Sequence, residues 1–119
     1  MTTQPALTIS SASDGALTIL TLTGVFDALG SVALEQQLAP LLAAAGVPRV
    51  ILDLGAVRYI ASAGVGTLVS ANRRCAARGG CIVLARPSES LREIFTTLNL
   101  HAILAICDGL EMAKVRAVG

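Results

Sequence analysis

The sequence reads Val50-Ile-Leu-Asp-Leu-Gly-Ala-Val-Arg-Tyr-Ile-Ala-Ser-Ala-Gly-Val-Gly-Thr-Leu68 through its middle, and this stretch decides the fold. Its beginning, from Val50 to Leu54, is typical of a central strand that is covered on both faces. A short connection then leads to Ser62, which is placed to be the first residue of a helix. A hydroxyl there lies beside free backbone N–H groups, so it can cap the helix, and the same groups would stabilise a phosphate attached to it. The residues alone leave both interpretations of Ser62 open.

The composition indicates one domain, residues 1–119, with an aliphatic core. The chain has 119 residues, of which 54% are hydrophobic and only 3% aromatic, and this length is enough for one continuous core. Charged residues make up 14%, below the usual quarter, so an unusually large part of the surface is apolar or small. Such a surface suits docking onto another protein. The net charge of +1, without a long basic run, argues against nucleic-acid binding.

The apolar stretches do not predict a membrane protein. The longest segments without a charge are Tyr59–Asn72 and Ile94–Cys107, and both fall short of the ~20 residues that span a bilayer. The first residues, Met1 to Pro5, carry no positive charge ahead of an apolar segment, unlike a secretory signal. Three cysteines without Cys-x-x-Cys spacing indicate free thiols in a reducing compartment: Cys75, Cys81 and Cys107. We therefore expect a cytoplasmic protein that does not span a membrane.

Alternating strand and helix patterns predict an α/β domain with a mixed sheet of four to five strands and about four helices. The strands are predicted at Leu7–Ser10 and Ala16–Thr23, which form an N-terminal hairpin, and at Arg49–Asp53, Cys81–Ala85 and Ile103–Cys107. Right-handed crossovers make the sheet mainly parallel after the hairpin. The helices are predicted from Ser31 to Ala45 with a kink or broken turn near Pro40, from Gly64 to Arg78, from Glu89 to Leu98 and from Gly109 to Arg116. The expected N-caps are Ser31, Ser88 and Asp108.

The residue inventory argues against an enzyme. Ile60 stands two positions before Ser62, where the Gly-x-Ser-x-Gly motif of hydrolases needs a glycine. The single histidine, His101, has no second histidine with which to form a two-histidine metal site. Gly64-Val-Gly66 lacks the further residues of a dinucleotide fingerprint or a P-loop, so close packing of a helix start against the sheet explains it better. We expect no catalytic residue, metal or cofactor.

Asp27 has two interpretations from its position alone. It follows the second strand, and the loops at neighbouring strand ends of a parallel sheet converge on one edge. Asp27 is therefore expected either near Ser62 or as the cap of the helix that begins beyond it.

Three motifs in this order then suggest a family: Gly24-Val-Phe-Asp27, Val50-Ile-Leu-Asp-Leu54 and Tyr59-Ile-Ala-Ser-Ala-Gly-Val-Gly66. Their order and spacing resemble the STAS domain of bacterial anti-sigma factor antagonists, whose segments read approximately Gly-Glu-Leu-Asp, Asp-Leu-Ser and Met-Asp-Ser-Ser/Thr-Gly-Leu-Gly. The similarity covers nearly the whole chain, including Leu91 to Leu100. The resemblance implies a SpoIIAA-like fold and a role in partner switching.

The resemblance also implies a regulated residue. In such systems the unmodified antagonist binds a serine-kinase anti-sigma factor and thereby frees a sigma factor. The kinase inactivates the antagonist by phosphorylating the serine that Ser62 matches, and a phosphatase reverses the modification. Asp27 matches the family's aspartate in the loop beside that serine.

The chain departs from the family pattern around the acceptor. Ala61 replaces the aspartate before it, Ala63 replaces the serine or threonine after it, and Val25 stands where glutamate is usual. A second interpretation is therefore a STAS domain that has lost the switch. It would serve as a scaffold or as an adaptor subunit of a larger complex, such as a stressosome-like or lipid-transport assembly. A weak homodimer is compatible with either interpretation.

The expected partner surface combines the Ser62 loop, the exposed side of the Gly64–Arg78 helix and the Gly24–Ser31 loop. Its residues are expected to be Asp27, Ala61, Ser62, Ala63, Gly64, Thr67, Ser70, Ala71 and Arg74. The three arginines of the helix are more simply read as a solvated face: Arg73, Arg74 and Arg78.

Overall fold

One mixed sheet of five strands organises the chain in the computed structural model, which describes residues 7–118. The strands are β1 (Leu7–Asp14), β2 (Leu17–Phe26), β3 (Arg49–Ile60), β4 (Cys81–Ala85) and β5 (Ala105–Cys107). They lie side by side in chain order, with β1 antiparallel to β2 and every other pair parallel. This arrangement confirms the predicted mixed sheet with an N-terminal hairpin.

In the described residues, 7–118, four α-helices cover the sheet unequally. They are α1 (Ala28–Ala43), α2 (Ser62–Ala77), α3 (Glu89–Thr97) and α4 (Leu110–Val118), with a short 3-10 turn at Leu100–Ala102. The main core lies between one face of the sheet and the first three helices, and it contains Leu20, Leu22, Phe26, Leu34, Leu52, Leu68, Leu84 and Phe95. A smaller core lies under α4 on the other face, around Ile51, Val83, Ala113 and Ala117. The start of α2 therefore belongs to the face with three helices.

The carboxyl end of α1 is held by α2. Pro40 does not break α1, contrary to our prediction, because the helix continues to Ala43 and the N–H of Ala44 donates to the Pro40 carbonyl at 3.0 Å. Beyond that point the guanidinium of Arg78 donates to the carbonyls of Ala44 at 2.7 Å and Gly46 at 2.8 Å, and also to that of Leu42. Arg78 therefore satisfies carbonyls at the end of α1, where the sequence suggested only a solvated side chain.

Strand β3 is much longer than the predicted Arg49–Asp53. Its second half pairs with the end of β2 across two register shifts. At the first shift Asp53 is buried, accepts the N–H of Gly55 at 3.0 Å and binds the Arg86 guanidinium at 2.9 and 3.1 Å. The hydrogen bond and the charge of Asp53 raise the pKa of Arg86. Asp53 thus accepts an N–H group from a residue beyond the predicted strand end, and that residue is itself part of the strand.

Two of the predicted caps are corrected and one is confirmed. Ser88 Oγ accepts the N–H of Leu91 at 3.2 Å and caps α3, as predicted. Ser31 lies inside α1, which begins before it. Within residues 7–118 the Asp108 carboxylate pairs with the Arg92 side chain and makes no capping bond to α4. At α1 the cap position is taken by Asp27, and Asp108 is engaged by Arg92 instead of the α4 backbone.

Candidate functional site

Ser62 is the first residue of α2 and lies at the carboxyl edge of the sheet. Ile60, the last residue of β3, pairs with Phe26 at the end of β2, and the N–H of Ala61 donates to the Phe26 carbonyl at 2.9 Å. These bonds bring the chain to the sheet edge and start the helix there. Ser62 is exposed, so its hydroxyl is open to solvent and to a second protein.

The cap position of α2 belongs to Ala61 rather than to Ser62. Ala61 has the extended backbone of an N-cap, φ −93° and ψ 169°, and makes no side-chain capping bond. The helix-cap interpretation of Ser62 is therefore wrong, because its hydroxyl is one residue too far into the helix. Since a methyl group accepts no hydrogen bond, the first N–H groups of α2 have no cap from this position. These N–H groups are suited to an anion attached to Ser62.

Replacing Ala61 by aspartate is expected to raise the free energy of unfolding by about 1 kcal/mol, because the carboxylate would supply the missing cap. Equilibrium unfolding in urea measures this gain. Ala63→Asp is the matched control, since it adds the same charge in the same turn without the cap geometry and should gain only about 0.3–0.5 kcal/mol. Equal gains at the two positions would contradict the assignment of Ala61 as the N-cap.

Asp27 caps α1 and also lies at the edge that carries Ser62. Its Oδ1 accepts the N–H of Gly30 at 3.0 Å, and its carbonyl accepts the Ser31 hydroxyl at 3.0 Å. The cap interpretation is thereby confirmed. Asp27 directly follows Phe26, and Ala61 directly follows its partner Ile60. The two loops therefore leave neighbouring strands side by side, as the sequence predicted for a parallel sheet.

Gly64 and Gly66 have different roles. Gly64 is buried, and a Cβ added there would lie 2.8 Å from the Phe26 carbonyl oxygen and 2.9 Å from Ile60 Cγ1. At Gly66 the same atom would meet nothing within 4 Å. The predicted close packing of the helix start is thus a property of Gly64 alone. Because Gly64 is buried, its contribution is to hold Ser62 at the sheet edge rather than to add exposed surface.

The other residues of the expected partner surface differ in their availability. Ala63 and Ser70 are exposed, and the Thr67 hydroxyl donates to the Ala63 carbonyl at 3.0 Å. Arg74 forms two hydrogen bonds with Glu35 of α1, at 2.6 and 2.9 Å. Ala71 is fully buried, which corrects its assignment to the exposed side of α2. Of the expected surface on α2, Ser62, Ala63 and Ser70 are therefore exposed, while Arg74 is engaged by Glu35 and Ala71 lies in the core.

An apolar groove beside Ser62 was missed by the sequence analysis. It has a volume of about 360 Å³ and is lined by Tyr59, Ile60, Ala61, Ser62, Val65, Ile94 and Leu98. The helical spacing of α3 groups Leu98 with the buried residues Leu91 and Phe95, but Leu98 is the C-cap residue and is 52% exposed. The sequence does offer one signal, the position of Leu98 at the end of α3. An apolar residue at a helix end is less enclosed by neighbouring elements than an apolar residue in the middle of a helix.

The remaining reactive side chains do not form a second site. Within residues 7–118 no three histidine, cysteine or acidic residues are grouped so that they would hold a metal ion. His101 is exposed in the 3-10 turn. Burial raises the pKa of the Cys75 and Cys81 thiols, which disfavours the reactive thiolate.

The part of the chain that the structure describes, residues 7–118, contains no helix with the length and hydropathy needed to cross a membrane.

The fold and the exposed serine at a helix start together define a class, a small α/β domain that carries Ser62 at one edge of its sheet. A family model described as "Mlab, STAS domain" matches residues 9–106. The chain belongs to the STAS domain family.

Three solved structures are similar over most of their length. An anti-sigma factor antagonist from Mycobacterium paratuberculosis superimposes with a TM-score of 0.84 at 17% identity, covering 100% of both chains. The Bacillus cell fate determinant SpoIIAA in its phosphorylated form has a TM-score of 0.70 at 20% identity, covering 93% of this chain and 98% of that one. A sulfate transporter family protein from Wolinella succinogenes has a TM-score of 0.71 at 20% identity, covering 89% and 88%. At these identities the likeness establishes the fold.

Proposed function

We propose that this protein is an anti-sigma factor antagonist that binds a serine-kinase anti-sigma factor, releases a sigma factor and is switched off by phosphorylation of Ser62. The observation that carries the proposal is the exposed Ser62 hydroxyl on the first residue of α2. Two of the similar structures support it, one being an anti-sigma factor antagonist and the other the phosphorylated form of SpoIIAA.

The domain itself tolerates the phosphate. A phosphoserine adds about −1.5 to −2 charges at neutral pH. At Ser62 this charge meets the positive end of the α2 dipole and N–H groups that Ala61 leaves uncapped. Phosphorylation is therefore expected to preserve the fold.

The partner does not tolerate it. A surface that closes over a neutral hydroxyl would have to strip water from a dianion, with a cost of several kcal/mol. Binding is thus lost without a change in the shape of the domain, and a phosphatase that reaches the exposed Ser62 restores it. Because the proposed kinase consumes ATP, we propose the cytoplasm as the location of this cycle.

A second candidate is a STAS adaptor without the switch. It is favoured by Ala61 and Ala63, which remove the polar neighbours that the acceptor has in the family pattern. The similar fold of a sulfate transporter family protein is compatible with this candidate. In that case Ser62 would be only an exposed residue of a binding surface.

Incubation with a purified serine-kinase anti-sigma factor and ATP distinguishes the two candidates. The proposal predicts one added phosphate by intact mass, assigned to Ser62 by peptide mapping. Ser62→Ala is the control and should stay unmodified, while Ser70, exposed on the same helix, serves as an internal comparison. No phosphate, or a phosphate on Ser70, would favour the adaptor.

A further inference from the structure

We infer that the groove beside Ser62 receives apolar side chains of the kinase partner, and that phosphorylation acts by keeping this groove hydrated. The inference rests on the proposed function and names the surface that the partner uses. The groove lies between the end of β3 and α3, and none of its lining residues carries a charge at neutral pH: Tyr59, Ile60, Ala61, Ser62, Val65, Ile94 and Leu98. We call it the Ser62 groove.

Two large side chains at the Ser62 groove are more than half exposed. Tyr59 is 55% exposed and Leu98 is 52% exposed. They belong to β3 and to the end of α3, so they come from elements that are distant in the sequence. An apolar insertion between them would remove both from water, which is the main source of affinity in the centre of an interface.

A second depression continues the groove along α3. It also measures about 360 Å³ and is lined by Ser90, Glu93, Ile94, Thr97 and Leu98. Ile94 and Leu98 are common to both depressions. Two adjacent hollows that share a wall suit a partner segment with two apolar side chains, as in other grooves that bind an amphipathic segment.

One negative charge in the second depression, beside the Ser62 groove, favours a particular partner chemistry. Glu93 is the one side chain among the lining residues that is charged at neutral pH, and it takes part in no ion pair within residues 7–118. An acidic partner segment would be repelled there, whereas a lysine or arginine beside the apolar side chains would be attracted. The occupant is therefore an apolar segment with a basic rim.

Ser62 connects this groove to the switch because it lines the groove directly. A phosphate on its hydroxyl would stand at the groove edge with its shell of water. Apolar side chains would then enter only if the dianion lost part of that shell. One modification would thereby oppose binding along the whole groove rather than at a single contact.

Leu98→Lys tests the groove with the full-length protein and the purified kinase. A cation at the end of α3 suits the helix dipole, so the fold should be retained. We expect the dissociation constant to rise about 30-fold, since the inserted apolar group loses its partner. The matched control is Val115→Lys, which adds the same charge at a 71% exposed position on α4, across the sheet, and should change binding less than twofold.

Two further variants test the opposite wall of the groove and the charge beside it. Tyr59→Ser removes the opposite wall and should weaken binding about tenfold, and Glu93→Lys should weaken it about threefold through the lost attraction to the basic rim. Circular dichroism and urea unfolding confirm that each variant is folded. Parent-like binding of both Leu98→Lys and Tyr59→Ser would overturn the groove, and tighter binding of Glu93→Lys would overturn the basic rim.

The experiments distinguish a failure of the groove inference from a failure of the proposed function. If Leu98→Lys and Tyr59→Ser both bind like the parent while Ser62→Asp is impaired, the switch stands and the groove is excluded. If the parent binds no serine-kinase anti-sigma factor, or if Ser62→Asp binds as the parent does, the proposed function fails and the inference falls with it.

Discussion

Ser62→Asp is expected to weaken binding to the serine-kinase anti-sigma factor by about a hundredfold, which corresponds to about 3 kcal/mol. The carboxylate places a charge at the exposed Ser62, where the proposed complex would close over a neutral hydroxyl. Ser62→Ala should bind within a few-fold of the parent, because it removes the hydroxyl without adding charge. Isothermal titration calorimetry with the purified kinase measures all three proteins.

The matched control for this effect is Ser13→Asp. Ser13 is exposed near the β1–β2 turn, at the end of β2 opposite Phe26 and the α2 start. It receives the same substitution far from the proposed surface, so its affinity should not change. Because aspartate near a helix N-terminus is favourable, Ser62→Asp should also be at least as stable as the parent. Equal affinities of Ser62→Asp and Ser62→Ala would mean that charge at this position does not control binding.

Gly64→Ala is expected to lower the free energy of unfolding by about 2 kcal/mol, in spite of the better helix propensity of alanine. The new Cβ would lie 2.8 Å from the Phe26 carbonyl oxygen and 2.9 Å from Phe26 Cδ1 and Ile60 Cγ1. The first of these is backbone, and the same carbonyl accepts the N–H of Ala61. Relief of the clash therefore moves the start of α2 away from β2 and displaces Ser62 with it.

Gly66→Ala separates this steric effect from the general effect of alanine in a helix. Gly66 lies in the same helix with open space around its Cα. Alanine there should raise the free energy of unfolding by about 0.5–1 kcal/mol. If packing leaves no room for a Cβ at Gly64, chemical denaturation will show a lower free energy of unfolding for Gly64→Ala and a higher one for Gly66→Ala. If both substitutions raise the free energy of unfolding, the start of α2 has room for a Cβ at Gly64 and the steric argument is wrong.

The general architecture was predictable because its signals are local. Alternating apolar strands and helical patterns define the elements, and the right-handed crossover rule fixes the parallel part of the sheet. Ser62 at a helix start and Asp27 at the neighbouring strand end followed from the same reasoning, and the paired residues Phe26 and Ile60 confirm that the two loops adjoin.

The local details were less predictable because tertiary bonds determine them. The second half of β3 contains Gly55 and two register shifts, so its alternation is interrupted and it resembles a loop in sequence. Ser31 has the residue type of an N-cap, but the Asp27 side chain accepts the N–H of Gly30 and is the actual cap of α1. Ala61 is the opposite case, because its backbone adopts the cap conformation although its side chain has no capping atom.

The Ser62 groove was beyond reach of the sequence for a different reason. Its walls come from β3, α2 and α3, and no local pattern predicts which side chains of separate elements meet at a surface. A helix pattern placed Leu98 with the buried residues of α3, whereas the helix end leaves it half exposed. Interaction surfaces of this kind depend on how elements pack, while acceptor residues depend mainly on one motif.

The affinity of the purified kinase for this protein before and after stoichiometric phosphorylation of Ser62 tests the central claim most directly. We expect the modified protein to remain folded and to bind at least a hundredfold more weakly, and a phosphatase to restore the original affinity. Equal dissociation constants for the two forms, with the phosphate confirmed on Ser62, would contradict it.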